Sequence, residues 1–353
     1  MSKVAPSSSA EGPEQITFAE DGSSKKRSGV RRPVFAELLS CEAEATPKPG
    51  RVHLLVNPFS GRKRGKKVGA AARKLLEAAG VEVELHPSER TGHLVELSKA
   101  LELRPTDALA VVGGDGTLSE VITGRMRAGG DLPRVGVIPA GTGNAQATEL
   151  GILNVEEAVR RIVAGRVIRI DLAEVDLRSG TAKRPGDALR WYSHNLVTWG
   201  LGVDSVVLAE RMRWLGPARY DVGIVIKILA NVRRRATLTV DGHAMEDDYT
   251  LFLIQNTQTG GAGLRLAPGA SLDDGVMDLG ILRRMTTSKL INAFGMLKQE
   301  GRHVFHPSVG SHRFKELAID TPEPTAINID GELAGVTPLK MRVLERVLPL
   351  FAA

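Results

Sequence analysis

Three glycine-containing segments in the first half of the chain have the composition of phosphate-binding loops. Residues 57–61 read NPFSG and precede a run of Arg and Lys, residues 113–117 read GGDGT, and residues 139–144 read PAGTGN. Glycine lets backbone amides approach a polyphosphate closely, and a helix that starts after such a loop directs its positive end at the anion. The first segment lacks the Gly-Lys-Ser/Thr ending of a Walker A loop. Each segment alone also fits an ordinary turn, but the three together predict a nucleotide site.

Polar side chains within the second and third segments suit such a site. A carboxylate beside bound phosphate is repulsive unless a metal or a proton lies between them, so Asp115 predicts a Mg²⁺-linked or catalytic role. A tight turn with an Asx cap is the alternative. Thr117 can cap the following helix or contact phosphate. In the third segment Gly141 opens the backbone, while Thr142 and Asn144 offer neutral hydrogen bonds to ribose or phosphate.

Acidic side chains recur in the second half of the chain, in DDG at residues 273–275 and in DGE at residues 330–332. Phosphoryl transfer requires charge neutralisation around the γ-phosphate and a carboxylate that receives the proton of the attacking hydroxyl. Asp273, Asp274, Asp330 and Glu332 offer such groups. Because Asp-Gly is also a strong turn signal, hairpin turns at both places stay open as the alternative.

The elements around the first three segments alternate between strand and helix. The strand-like runs start at residues 51, 81, 108 and 134, and the helical patterns cover residues 66–79 and 93–101 and start again at Leu118. This alternation predicts an α/β nucleotide-binding domain with a parallel sheet over residues 50–170. Ligands of such sheets bind at the carboxyl ends of the strands, where all three glycine-containing segments would converge.

After residue 170 the strand-like runs become frequent and are joined mostly by loops, with helical stretches near residues 203–214, 218–231 and 286–299. This pattern predicts an antiparallel β-sandwich or barrel-like domain with inserted helices over residues 171–353. We expect its extreme C-terminus to pack back on the first domain. Residues 1–49 are rich in Ser, Pro, Glu and Lys and predict a mostly disordered tail.

The composition is that of an ordinary globular protein. A chain of 353 residues fits two domains, and its net charge of +6 arises from 47 basic and 41 acidic residues. This modest excess favours anionic partners such as phosphates or acidic membranes, and we expect no nucleic-acid partner. The single cysteine, Cys41, excludes an internal disulfide and indicates a reducing compartment. Without a secretory signal or a membrane-spanning stretch, we expect a cytoplasmic, peripherally membrane-associated protein whose oligomeric state stays open, a homodimer included.

These motifs, in this order and spacing, resemble the diacylglycerol kinase and sphingosine kinase superfamily from about Arg51 to the C-terminus. The segments at residues 113–117, 139–144, 272–275 and 330–332 carry the resemblance, and HNLVTWGL at 194–201 with RWLGPARY at 213–220 look most like the sphingosine kinase branch. The resemblance implies an ATP-binding domain like that of phosphofructokinases and NAD kinases. It also implies a β-sandwich lipid-binding domain, with the active site between the two.

The resemblance also implies roles for individual residues, assigned by motif position. The expected nucleotide contacts are Asn57, Thr91, Gly113, Gly114, Asp115, Gly116, Thr117, Leu118, Ser119 and Thr142. A metal, expected to be Mg²⁺, would lie in the loop of Ser271, Asp274 and Val276. The superfamily places the proton acceptor on the residue matching Glu332 or on the one matching Asp115, so both are candidates, with Asp330 beside them.

The second domain supplies the candidate lipid-binding residues. All three tryptophans lie between residues 191 and 214, and Trp199 is taken as part of a lipid pocket, with a structural core as the alternative. Asp204 matches an aspartate that sphingosine kinases use against the substrate amine, and a carboxylate there favours an ammonium-bearing lipid. Gly113 departs from that branch, which often has Ser. We therefore expect ATP-dependent phosphorylation of a sphingoid long-chain base, with diacylglycerol kinase as the alternative and NAD kinase as a remote one.

Overall fold

The N-terminal stretch contains three short strands in this computed structural model, which describes residues 12–19, 30–33, 41–260 and 263–352. They are β1 (Ile16–Ala19), β2 (Val30–Pro33) and β3 (Glu44–Ala45). Gln15 bridges to His312, and β3 pairs with Arg166 and Val167. The described parts of the predicted tail are therefore ordered: Gln15 and β3 find backbone partners on the folded domains, and β2 pairs with β1. The rest of residues 1–49 lies outside the described residues.

A parallel sheet covered by helices forms the first domain, as the alternating pattern predicts. Its strands are β4 (Arg51–Val56), β5 (Glu82–Pro87), β6 (Ala108–Gly113) and β7 (Val135–Pro139), in the order β7-β6-β4-β5. Its helices are α1 (Ser60–Lys63), α2 (Gly65–Ala78), α3 (His93–Ala100), α4 (Asp115–Ala128), α5 (Ala145–Glu149) and α6 (Val155–Ala164). Strands β4, β6 and β7 are nearly continuous apolar runs because helices pack on the sheet.

Helix α4 begins earlier than the sequence pattern predicts. Its first residue is Asp115 rather than Leu118, and Gly114 is the N-cap with an extended backbone, φ −110° and ψ −169°. The GGDGT run therefore leads directly from the end of β6 into the first turn of α4. This arrangement directs the positive end of the helix dipole to the carboxyl edge of the sheet.

Antiparallel strands with three inserted helices form the second domain. The strands are β8 (Arg166–Thr181), β9 (Arg184–Ser193), β10 (Leu196–Gly200), β11 (Arg234–Val240), β12 (His243–Gln255), β13 (Thr259–Gly260), β14 (Leu264–Arg265), β15 (Met277–Arg283), β16 (Val309–Phe314), β17 (Glu316–Asp320), β18 (Ala326–Ile329) and β19 (Glu332–Phe351). The helices are α7 (Leu201–Arg211), α8 (Arg219–Ala230) and α9 (Thr287–Leu297), with 3₁₀ turns at Arg213–Ala218 and Arg302–Phe305. Pairing of β10, β12, β11, β17, β19 and β18 closes a ring, so the domain is barrel-like.

Two long strands join the domains into one hydrogen-bonded structure. Strand β19 starts in the second domain and ends with Leu350 opposite Val135 of β7, in parallel. It also pairs along most of its length with β8. Leu350 and Phe351 accordingly belong to the apolar core of the first domain, whereas Trp199 and Phe252 belong to that of the second. Among the described residues, no helix is long and apolar enough to cross a membrane.

Candidate active site

The three glycine-containing segments meet at the carboxyl edge of the parallel sheet. Gly113 accepts hydrogen bonds at its carbonyl oxygen from the amides of Ala140 and Gly141, at 2.8 and 3.0 Å. The Arg64 guanidinium donates to the carbonyl oxygen of Gly141 at 3.4 Å, which brings the basic end of the first segment to the third. The structure thus produces the convergence that the parallel order of the strands predicts.

Asp115 ties the second segment to the third. Its two carboxylate oxygens accept hydrogen bonds from the backbone amides of Ala145 and Gln146, at 2.8 and 3.0 Å, at the start of α5. Asn144 precedes this helix in the left-handed region, with φ 49°, and its side chain bonds both the amide and the carbonyl of Gly141. Asp115 and Asn144, which were predicted to contact nucleotide, therefore use their side chains to shape the third segment.

Gly113 is a position where only glycine fits the local packing. A Cβ atom there would lie 2.3–2.5 Å from the side-chain atoms of Thr117. Thr117 is itself fixed, because its hydroxyl oxygen accepts a hydrogen bond from the Asn57 amide at 3.3 Å. The Ser that often occupies this position in sphingosine kinases would require this contact between the first two segments to shift.

Two of the expected nucleotide contacts lie inside the protein instead. Leu118 is buried in the core of the first domain. Ser119 is also buried; its hydroxyl donates to the Tyr192 carbonyl at 3.0 Å and accepts from the Trp191 indole at 2.8 Å. Their side chains therefore face the protein interior rather than a ligand: Leu118 packs in the core of the first domain, and Ser119 bonds the second domain. Thr91, in contrast, is exposed in the loop after β5.

A cavity of about 470 Å³ lies between the two domains and joins these loops to an apolar interior. Its polar end is lined by Gly114, Asp115, Gly116, Thr142, Gly143, Asn195, Asp330, Gly331 and Glu332. Its apolar walls come from strands β10, β12 and β15 and helices α7, α8 and α9, including Leu201, Ile224, Ile228, Leu251, Leu253, Leu282, Leu290 and Phe294. A polar mouth continuous with an apolar pocket suits a molecule that has a hydroxyl head and a hydrocarbon chain.

Asp330 is buried at the cavity wall and organises the chain around residues 193–196. One of its oxygens accepts hydrogen bonds from the Ser193 hydroxyl and from the amides of Asn195 and Leu196, at 3.0, 3.1 and 2.7 Å. The other accepts from the amide of His194 at 3.2 Å. Because both oxygens are engaged by donors that shape the loop, Asp330 is a positioning residue and is poorly suited to accept a substrate proton.

Glu332 lines the cavity, and its carboxylate oxygens accept no hydrogen bond from the described residues. Among the described residues it makes no hydrogen bond or ion pair, and it lies against Gly116 in the first turn of α4. Its side chain reaches solvent, but the surrounding cavity wall removes part of its hydration. This desolvation raises the pKa of Glu332, and the negative charge of Glu210 raises it further. A carboxylate with an elevated pKa, facing the nucleotide loops, has the properties of a general base.

His194 lies at the site, although the sequence analysis noted only the HNLVTWGL run and gave this residue no role of its own. It is buried, its Nδ1 lies 3.0 Å from the side-chain oxygen of Gln146, and its Nε2 lies 3.2 Å from the carbonyl oxygen of Asp115. It therefore links the second domain to both the second and third segments. The HNLVTWGL run marked this part of the chain as resembling a kinase motif, but only the fold shows that His194 is the side chain of the run that contacts the first domain.

Comparisons with known proteins agree with this geometry. Residues 51–175 match the diacylglycerol kinase catalytic domain, and residues 195–352 match the YegS C-terminal NAD kinase beta sandwich-like domain. A diacylglycerol kinase of Mycobacterium tuberculosis strain H37Rv is 31% identical over 307 residues, which cover 85% of this chain and 94% of that protein. The chain belongs to the diacylglycerol kinase family. It is a lipid kinase.

More distant relatives share its architecture. A diacylglycerol kinase of Bacillus subtilis strain 168 is 28% identical over 291 residues, covering 82% of this kinase and 91% of that protein. A solved structure from Bacillus anthracis str. Sterne matches with a TM-score of 0.68 at 22% identity, over 88% of this chain and 97% of that one. These likenesses support the superfamily that the motifs indicated, but they do not support its sphingosine kinase branch.

The predicted metal loop of the kinase lies outside the cavity lining. Asp274 pairs with Arg313, 3.0 Å between its Oδ2 and the guanidinium Nη2, and the Ser271 hydroxyl donates to Asp273 at 3.1 Å. The amide of Gly275 donates to Asp171 at 2.7 Å. Burial raises the pKa of Asp171 to about 6, and the negative charges of Asp274 and Asp273 add to it. The loop, which also includes Val276, offers hard oxygen donors and surplus negative charge, so its chemistry fits Mg²⁺.

The two expected lipid-binding residues do not line the cavity. Trp199 is 1% exposed and stacks on Phe252, with ring centroids 4.6 Å apart, inside the core of the second domain. Asp204 lies on a separate surface, where its two oxygens are 3.0 and 2.8 Å from the Arg234 guanidinium. The carboxylate that was expected to select an ammonium-bearing lipid is therefore already paired with a cation of the kinase itself.

Proposed function

We propose that this kinase transfers the γ-phosphoryl group of ATP to the primary hydroxyl of diacylglycerol. The observation that supports the proposal best is the cavity itself, in which Glu332 lies where the glycine-containing loops meet an apolar pocket. The curated relatives named above are diacylglycerol kinases, and the Asp204–Arg234 pair removes the feature that favoured a sphingoid base.

The ATP phosphates would lie at the N-terminus of α4. Gly114, its N-cap residue, has no side chain that could cap the helix, so the first amides of a 14-residue helix remain available to an anion. The cations Arg62, Lys63 and Lys66 follow the first segment and supply positive charge near the same edge of the sheet. Asp115 holds the third segment, and with it the exposed Thr142, over this site.

The proton of the lipid hydroxyl would pass to Glu332. As the hydroxyl oxygen forms its bond to the γ-phosphorus, the bond between that phosphorus and the bridging oxygen of ADP breaks, and the carboxylate receives the proton. The pKa of Glu332 is raised, and this brings it closer to neutral pH, where a general base accepts a proton most effectively. Asp330 would keep the chain at residues 193–196 in place at the cavity wall.

Mg²⁺ would be held by the Asp274 carboxylate and by main-chain oxygens of Ser271 and Val276. When bound there, the ion would neutralise the surplus charge of the acidic loop and fix its conformation. Arg313 is the competing cation in the structure, since it contacts Asp274 at 3.0 Å. The loop adjoins Asp171 of β8, one of the two strands shared by both domains, so ordering it would steady the domain junction.

The lipid would reach the cavity from a membrane surface at helix α8. Its residues Ile224 and Ile228 line the cavity, whereas Val225, Ile226 and Leu229 on its other face are exposed. Trp214, in the preceding 3₁₀ turn, is 81% exposed. Exposed apolar side chains on an element that also lines a lipid pocket suit peripheral contact with a bilayer.

A lipid panel tests the substrate assignment. Transfer of radiolabelled phosphate from ATP is measured with diacylglycerol, sphingosine and ceramide at equal mole fraction in mixed micelles. We expect diacylglycerol to be phosphorylated fastest, with the same order of preference in Asp204→Ala, and transfer slowed about 10²–10⁴-fold in Glu332→Gln. Faster transfer to sphingosine, lost in Asp204→Ala, would overturn the substrate assignment and restore the sphingoid interpretation.

A further inference from the structure

A cluster of three metal-binding side chains lies on strands β4 and β5 of the first domain, outside the cavity lining. It consists of His53, Glu84 and His86, whose candidate ligand atoms all lie within 4.8 Å of one another. His53 stands opposite Glu84 in the parallel register, and His86 is two residues further along β5, on the same face. Strand β5 is the edge of the sheet, so the cluster opens toward solvent.

The spacing of the candidate ligand atoms fits a four-coordinate transition metal. His53 Nδ1 lies 3.2 Å from His86 Nε2 and 3.4 Å from a carboxylate oxygen of Glu84, and His86 Nε2 lies 3.6 Å from the other oxygen. Bonds of about 2.0–2.1 Å in a tetrahedron place neighbouring ligand atoms about 3.3 Å apart. The observed separations bracket that value; since each histidine is nearest to a different oxygen of Glu84, a small rotation of this carboxylate would bring one oxygen into reach of the same ion.

The surroundings of His53 provide a second, independent observation. The ring is buried, and its Nε2 lies 3.3 Å from a carboxylate oxygen of Asp107. That carboxylate is held in place by Arg51, at 3.2 and 2.5 Å, and by the amide of Arg104 at 2.9 Å. A fixed carboxylate that accepts from Nε2 leaves the lone pair of Nδ1 directed at Glu84 and His86. Metal-binding histidines have this arrangement, with the second nitrogen donating to a carboxylate.

We propose that His53, Glu84 and His86 bind a divalent transition metal of the zinc class, with a fourth position open to water. Glu84 is about half exposed, at 49%, which gives the ion a route from solvent. Arg51 also contacts Glu84, at 3.4 Å, and is the cation that the metal must displace or share. The bound ion would fasten the edge strand β5 to β4, and this site would be separate from the magnesium loop of the second domain.

The cluster also has a metal-free alternative. The His86 ring can donate a hydrogen bond to the Nδ1 lone pair of His53, and Glu84 can accept one from Arg51. A set of hydrogen bonds of this kind would account for the contacts without any ion. The two interpretations differ in whether His86 and Glu84 matter for metal affinity, which binding measurements determine.

The experiment measures metal binding to the full chain after chelator treatment. Isothermal titration with ZnCl₂ should show one site per chain, and Co²⁺ should give the intense visible absorption of a four-coordinate site. Zn²⁺ in excess should raise the Tm by a few degrees because it binds only the folded state. MgCl₂ should not compete at equal concentration, since Mg²⁺ prefers six oxygen ligands.

Two variants and a matched control decide between the interpretations. His86→Ala and Glu84→Gln, both on the edge strand, should weaken Zn²⁺ binding at least tenfold while their metal-free Tm stays near that of the unmodified protein. His243→Ala removes an exposed histidine of the second domain and should leave the affinity unchanged. Equal Zn²⁺ affinity in His86→Ala and the unmodified protein, or no binding to either, would overturn the proposal. The three side chains would then form a hydrogen-bonded cluster that binds no metal.

Discussion

The carboxylate of Glu332 lies against the backbone of Gly116. A Cβ atom at residue 116 would come within 2.8 Å of Glu332 Oε1 and within 2.9 Å of its Cγ. Gly116 belongs to the first turn of α4, and Glu332 is the first residue of β19, so the contact joins the nucleotide loops to the second domain. The proposed proton acceptor thus occupies space that is open only because residue 116, on the opposite domain, has no side chain.

Gly116→Ala should lower kcat about 100-fold with little change in Tm. The added methyl would meet Cγ as well as Oε1 of Glu332, so the whole side chain must turn away, and a displacement of about 1 Å at a reacting group costs rate on this scale. Steady-state kinetics with diacylglycerol and a thermal melt measure the two effects. Gly295→Ala is the matched control, because a Cβ at Gly295, also in a helix, meets nothing within 4 Å.

A double-mutant cycle separates this effect from obstruction of the phosphates. If the methyl acts by moving Glu332, Gly116→Ala should have little further effect on kcat in the Glu332→Gln background. Additive losses in the two variants, accompanied by a raised KM for ATP, would show that the methyl acts on the nucleotide instead.

The rate should fall with decreasing pH at values above the ordinary range of a glutamate. Glu332 must be ionised to accept a proton, and partial desolvation within the cavity wall raises its pKa, so acid removes the base at a higher pH than for a free side chain near 4.3. A profile of kcat/KM from pH 5 to 9 should show this acid limb, and Glu332→Gln should lack it and be about 10²–10⁴-fold slower.

The raised pKa of Glu332 also predicts that stability changes with pH in the direction opposite to the rate: stability falls as the pH rises. A folded-state pKa above the unfolded value means that ionisation disfavours folding, so the stability present at low pH is lost as the pH rises through the folded pKa. At pH 7.5, Glu332→Gln should therefore melt at the same temperature as the unmodified protein or higher. A lower Tm would show that Glu332 has a stabilising partner and is a structural residue.

The sequence pattern predicted most of the fold because its signals are local. Alternating apolar runs and glycine turns are short-range features, and they identified the strands of the parallel sheet, the three loops and the three inserted helices of the second domain. The closed ring of strands was not predictable in the same way. It depends on pairing between β11 and β17, which are far apart in the chain.

The roles of the site residues were less predictable, because they depend on contacts across the domain boundary. Motif position marked Ser119 as a nucleotide contact, but the helical turn buries it against Tyr192. Asp115 and Asp330 looked equivalent to Glu332 in sequence. Only the backbone amides that surround the first two show that their charge is already engaged, and those amides come from elements distant in the chain.

Asp115→Asn should lower stability and weaken ATP binding while leaving the acid limb of the rate profile in place. The amide would keep one acceptor for Ala145 or Gln146 and turn an N–H group toward the other, at a cost of about 1–3 kcal/mol. We expect a Tm lower by several degrees and a raised KM for ATP. An unchanged Tm and KM with lost turnover would instead make Asp115 the proton acceptor.

Leu229→Ser should weaken binding to lipid vesicles several-fold without lowering turnover of a short-chain diacylglycerol in solution. Leu229 is 61% exposed on the face of α8 opposite the cavity, and placing a leucine side chain in an apolar phase contributes about 1.5–3 kcal/mol when burial is complete. Co-sedimentation with phosphatidylcholine vesicles containing diacylglycerol measures the binding. Leu153→Ser removes an equally apolar and 79% exposed side chain from the first domain, and it should bind vesicles like the unmodified kinase. Equal losses in both variants would show that the membrane contacts the kinase without using α8.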